Sequence, residues 1–199
     1  MDDDSTRTAL HDYLRGVRGA LLWKLDGLGE REVRWPRTPT GTNLLGIARH
    51  CANVEIGYFG PTFGRPWPYP EMAGFVPDDA YETDLQADWW VPADVSAADL
   101  VSFCRRAWEF ADETIAELSL DAPGQVPWWP EGRRDVTLAT VLVHVLTDVA
   151  RHAGHADILR EQADGATGLM AGRTNLPEGH DWAAYVARLR GVAEQFPSQ

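Results

Sequence analysis

The chain has 199 residues, a formal net charge of −12, and a hydrophobic share of 44%, enough for one well-buried domain. That acidity argues against nucleic acid and anionic membrane surfaces as partners, because both would be repelled. The N-terminus Met1-Asp2-Asp3-Asp4 is acidic where a secretory signal is basic, and no apolar run approaches a membrane span. Two cysteines, Cys51 and Cys104, form no CxxC pair; one disulfide is allowed but unforced, and the expected location is cytoplasmic.

The first predicted helix runs from about Ser5 to Leu28. Leu10, Tyr13, Leu14, Val17, Leu21, Leu25 and Leu28 recur at spacings of three and four, which makes one buried stripe. Pro36, Pro39 and Gly41 break the chain, and Thr40 or Thr42 is expected to cap the second helix, about Asn43 to Phe59. Its apolar stripe is Leu44, Ile47, Cys51, Val54 and Tyr58.

Residues 60–95 are rich in proline and aromatic residues and are expected to be an ordered cover packed on the core. Ser96 to Asp99 has the form of a capping box and starts a third helix that continues to about Leu118. A loop from Asp121 to Asp135 carries Trp128 and Trp129. The fourth helix, about Thr137 to Gln162, is the most apolar and is expected in the middle of the core. A Gly- and Pro-rich stretch then leads to a short helix from Trp182 to Gln195.

With no convincing strand, these elements predict an all-α protein: a four-helix bundle with long aromatic-rich connections and a short C-terminal helix. A single domain over 1–199 is expected, with the bundle at about 5–162 and an extension at 163–199.

Histidine placement carries the chemistry. Three of the six histidines fall on the fourth helix, in the run His144-Val-Leu-Thr-Asp148-Val-Ala-Arg151-His152-Ala-Gly-His155. At about 100° per residue from His144, Asp148 lies near 40°, His152 near 80°, His155 near 20° and Arg151 near −20°. Five polar groups thus share one sector, and burying them unpaired would cost several kcal/mol each.

Asp148 and His152 are four apart, a spacing that lets two side chains reach one ion. A third ligand must come from a neighbour, and His50 on the second helix is a candidate. Two histidines and one carboxylate leave coordination positions open, as a catalytic metal requires. Zinc fits this set, and nickel, iron(II) and manganese stay open. Read alone, the pair also fits a helix salt bridge, His50 a packed histidine, and the whole face a hydrogen-bond network with Arg151 and Asp157. Cys51 points about 100° from His50 and reads as core.

The segments Thr40-Gly-Thr-Asn-Leu-Leu-Gly-Ile-Ala-Arg-His50-Cys-Ala-Asn-Val-Glu55 and Leu142-Val-His-Val-Leu-Thr-Asp148-Val-Ala-Arg-His152-Ala-Gly-His-Ala-Asp-Ile-Leu-Arg-Glu161 resemble the DinB / YfiT-like superfamily of metal-binding four-helix bundles. The closer likeness is to the actinobacterial branch grouped with the mycothiol-dependent maleylpyruvate isomerases. The family pattern maps its metal ligands onto His50, Asp148 and His152; aspartate at 148 departs from the usual Glu or His.

The resemblance implies a divalent-metal-dependent transferase that joins a low-molecular-weight thiol, mycothiol in an actinobacterial source, to a small electrophile. His144, Arg151 and His155 would then serve as acid–base or substrate-holding groups. Isomerase members carry a further C-terminal domain, so isomerisation is not expected here. Metal-assisted hydrolysis and a non-catalytic, stress-related binding role are the alternatives. The Trp-rich loops would form a ligand pocket or a homodimer surface.

Overall fold

The computed structural model describes residues 3–174 and 176–197. Its bundle is built from α1 (Asp3–Trp23), α3 (Leu44–Phe59), α5 (Ala97–Glu117) and α6 (Leu138–Asp164). Two short helices, α2 (Glu30–Arg34) and α4 (Ala80–Thr83), lie in the connections, and α7 (Trp182–Ala193) follows the bundle. Helix α3 packs against α5 and α6, and α1 packs against α6. Among the described residues no helix is long and apolar enough to cross a membrane.

The core helix is α3, not α6 as hydropathy suggested. Thirteen of the 16 residues of α3 are buried, against nine of 27 in α6. Helix α6 turns one apolar stripe inward, including Leu138, Val141, Leu142, Val145 and Val149, and leaves its opposite side to solvent. Helix α3 is covered on that remaining side by the 60–95 segment, whose contacts no helical periodicity encodes. Its burial extends to polar side chains, and each of them is spoken for. Arg49 donates Nε to the Gly74 carbonyl at 3.0 Å and Nη1 to the carbonyls of Ala87 and Trp90. Asn53 donates to the Gly74 carbonyl and accepts from the Val76 N–H at 2.8 Å. The segment is therefore an ordered cover, pinned to α3 by hydrogen bonds and to α5 by Trp67 against Phe103 and Phe110.

The cap of α3 differs from the expected threonine. Asn43 accepts from the Gly46 N–H at 2.7 Å, while its amide donates to the carbonyl of Trp89 at 3.2 Å. An asparagine can satisfy a helix end and a crossing loop at once, which a hydroxyl does less readily. The capping box at α5 forms as its pattern predicts, with Ser96 and Asp99 each bonding the other's backbone N–H.

Two strands interrupt the all-helical expectation. Pro123–Gln125 (β1) pairs antiparallel with Asp135–Thr137 (β2). Three residues each are too few for alternation to reveal. The hairpin holds Trp128 and Trp129 over the end of α3.

Both cysteines are buried and free, and Cys51 belongs to the core. Burial pushes both thiols up, so neither is a ready nucleophile. A buried ion network ties three helices. Arg18 on α1 holds Glu55 on α3 with Nε at 3.0 Å from both carboxylate oxygens, and Asp112 on α5 with Nη1 at 2.6 Å. Lys24, just after α1, pairs with Asp157 on α6 at 2.6 Å and bonds the Gly168 carbonyl past the end of α6, fastening the chain leaving the bundle. Helix α7 buries none of its residues.

Candidate metal centre

The site forms in the seam between α3 and α6. Asp148 and His152 share a face of α6 by their spacing, and His50 meets them from α3. One ligand atom from each of the three lies within 4.8 Å of the other two. The rings of His50 and His152 stand edge to face with centroids 4.9 Å apart.

Each histidine is held by something else. The Nδ1 of His50 is 2.7 Å from the carboxylate of Asp88, which is 4% exposed, so that nitrogen carries the proton and donates it. The opposite nitrogen, Nε2, is then a free acceptor. The indole of Trp89 stacks on the same ring at 4.0 Å and meets His152 edge-on at 5.1 Å. A carboxylate behind a histidine fixes its tautomer and ring orientation, as it does behind metal-bound histidines in general.

Two buried polar atoms of the triad have no partner: Oδ2 of Asp148 and Nδ1 of His152. Asp148 Oδ1 and His152 Nε2 are 3.6 Å apart, longer than a hydrogen bond. The two side chains thus form an i,i+4 ion pair through these atoms, and it leaves Oδ2 and Nδ1 without partners. Unsatisfied buried atoms cost about 1–3 kcal/mol each, and a cation accepts lone pairs from both. The donor set fits a divalent ion on this ground. Burial pushes the Asp148 carboxyl up, but His152, His50 and His144 outweigh it and the net direction is down, toward the carboxylate a metal needs.

The remaining predicted residues separate from the triad. His144, Arg151 and His155 are exposed, so the expected desolvation penalty falls on Asp148 and His152 alone. The ring of His155 lies 5.4 Å from that of His152. His144 tilts against Tyr58 at 4.7 Å and meets Trp129 edge-on at 5.1 Å. Arg151 has no hydrogen bond or ion pair with a described residue, and Asp157 is taken by Lys24, so the network alternative does not form.

Sequence reasoning missed Asp88. It lies in an aperiodic segment between Ala87 and two tryptophans, where no spacing marks it. The nearest signal is indirect: a buried Arg49 on α3 needs acceptors, and it takes carbonyls on either side of Asp88.

A helical bundle with an open set of two histidines and one carboxylate between its helices defines a DinB-like protein. A family model described as Mycothiol-S-transferase matches residues 9–165, which include all three convergent residues, and the chain belongs to that family. No curated protein matches it.

Proposed function

We propose that this chain is a divalent-metal-dependent S-transferase, with His50, Asp148 and His152 as ligands, that joins a low-molecular-weight thiol of the mycothiol type to a small electrophile. The observation that carries the reading is the convergence of the three side chains, two of which also bear a buried, unpartnered atom. Membership of the family supports the thiol. Zinc suits the set, and nickel, iron(II) or manganese are compatible with it.

A divalent cation bound there would supply the Lewis acidity that lets a thiol lose its proton near neutral pH. The chain does the rest. Asp88 keeps the His50 proton on Nδ1 and leaves Nε2 as the ligand. Trp89 holds the His50 ring in plane and shields it from water. His155, one turn beyond His152, takes the thiol proton at an imidazole nitrogen and passes it to solvent. Arg151 offers an uncommitted cation to a carboxylate of the thiol or substrate, and His144 borders the electrophile. One domain suffices for this reading, because every residue it uses lies in the bundle and its connections.

The test joins metal analysis to conjugation. Wild type incubated with zinc should retain about one ion per chain by mass spectrometry, and His50→Ala should lose it. The loaded protein should conjugate thiol to an electrophile. Metal without thiol binding by calorimetry would sink the transferase reading, and thiol-independent ester cleavage would replace it with hydrolysis.

A further inference from the structure

The triad occupies one stretch of the α3–α6 seam, and the next stretch carries a hydroxyl whose proton has no acceptor among the described residues. His50, Val54 and Tyr58 follow at intervals of four on α3, as His144, Asp148 and His152 do on α6. Ring contacts of His50 with His152 and of Tyr58 with His144 set the two helices antiparallel in this register. Tyr58 thus touches a residue one turn of α6, about 5.4 Å, from Asp148.

The Tyr58 oxygen accepts from the indole N–H of Trp129 at 2.9 Å and of Trp128 at 3.4 Å. Both lone pairs are then engaged, and no described residue accepts the hydroxyl's own proton. Donors into a hydroxyl oxygen polarise its O–H and strengthen it as a donor. Beside it, Trp128 is 52% exposed and lies across Gly57, where a Cβ would come within 3.3 Å of the indole. The hydroxyl of Tyr58, a residue 8% exposed, and the flat apolar face of Trp128 therefore stand together one turn along the seam from the triad.

We propose that Tyr58 binds the electrophile, its hydroxyl donating to the carbonyl oxygen of a conjugated enone while Trp128 covers the conjugated face. The proposal rests on the S-transferase reading and names its substrate class. The thiolate sulfur forms a bond to the β-carbon and the C=C π pair shifts, so that negative charge develops on the carbonyl oxygen. Tyr58 stabilises that charge, an interaction stronger in the transition state than in the ground state. The α-carbon then takes one proton from water, replacing the one the thiol released, and nothing is oxidised or reduced.

Tyr58→Phe keeps the ring and removes the donor together with the acceptor of both indoles, so an electrophile without a carbonyl is the control for any shift of Trp128. With zinc-loaded protein and a thiol, kcat/KM for cyclohexenone should fall about tenfold, the scale of one such hydrogen bond. The rate with benzyl chloride, which has no acceptor, should stay within twofold, and zinc content should be unchanged. Equal losses on both electrophiles, or no loss on cyclohexenone, would overturn the proposal. Cyclohexanone, which keeps the carbonyl but cannot react, gives a second measure by ligand-observed NMR: binding to wild type and weaker binding to the variant are expected. If wild type conjugates neither electrophile, the S-transferase reading fails. The Tyr58 site is then judged by cyclohexanone alone, and equal binding or no binding overturns it.

Discussion

At the scale of single residues, the carboxylates behind the site and in the bundle do different work. Asp88 acts through His50. Replacing it with asparagine keeps the size but lets the amide present either end, and the tautomer is no longer enforced. Zinc affinity of Asp88→Asn, measured by chelator competition, should fall about 10–100-fold with little change in fold; unchanged affinity would remove Asp88 from the site. Asp112 acts on stability instead. Burial raises its carboxyl, but Arg18 and His11 outweigh that and the net direction is down. A carboxyl lowered in the folded state stabilises above its unfolded pKa, about 3.9, and loses that contribution as pH falls through the lower folded value. The difference in unfolding free energy between wild type and Asp112→Asn should therefore close as pH falls below about 4. Urea titrations at several pH values read it directly, and a gap that persists at the acid end would contradict the assignment.

At the scale of elements, the start of α3 is where helix and cover meet. A Cβ on Gly46 would lie 2.0 Å from the carbonyl oxygen of Trp89, a backbone atom that cannot rotate away. Glycine is required there by close approach and not by its dihedrals. Gly46→Ala should push the 87–90 stretch off α3, carrying Asp88 and Trp89 with it. Stability should drop by about 1–3 kcal/mol, as for overpacking elsewhere, and zinc affinity should drop too. An alanine variant with wild-type affinity would show that the cover does not position His50. Asn43 reinforces the same junction by bonding the same carbonyl.

At the scale of the whole molecule, the family match and the buried contacts end at nearly the same place. The match stops at residue 165, and the last well-anchored residue beyond it is Gly168, held by Lys24. Helix α7 leaves Trp182, Val186, Leu189 and Val192 each 40% exposed or more. A chain shortened after residue 176 should therefore keep its thermal midpoint within a few degrees and its zinc affinity unchanged, because few buried contacts are lost. A large fall in the midpoint by calorimetry would show that α7 contributes to the core.

The bundle, its capping box and the Asp148–His152 pair were legible in the sequence because each is local. Helical periodicity sets which side chains share a face, and a cap involves residues three apart. His50 needed more than spacing; the resemblance supplied it, and the geometry brings it to the pair. Nothing local marked Asp88 as its hydrogen-bond partner, α3 as the core helix, or the Tyr58 hydroxyl as the acceptor for two tryptophans. Those features depend on where an aperiodic cover and a hairpin of two three-residue strands come to rest, across separations of 38 to 71 residues. Helical side chains could therefore nominate two candidate ligands, but only tertiary packing decided what holds His50, the third candidate, in place.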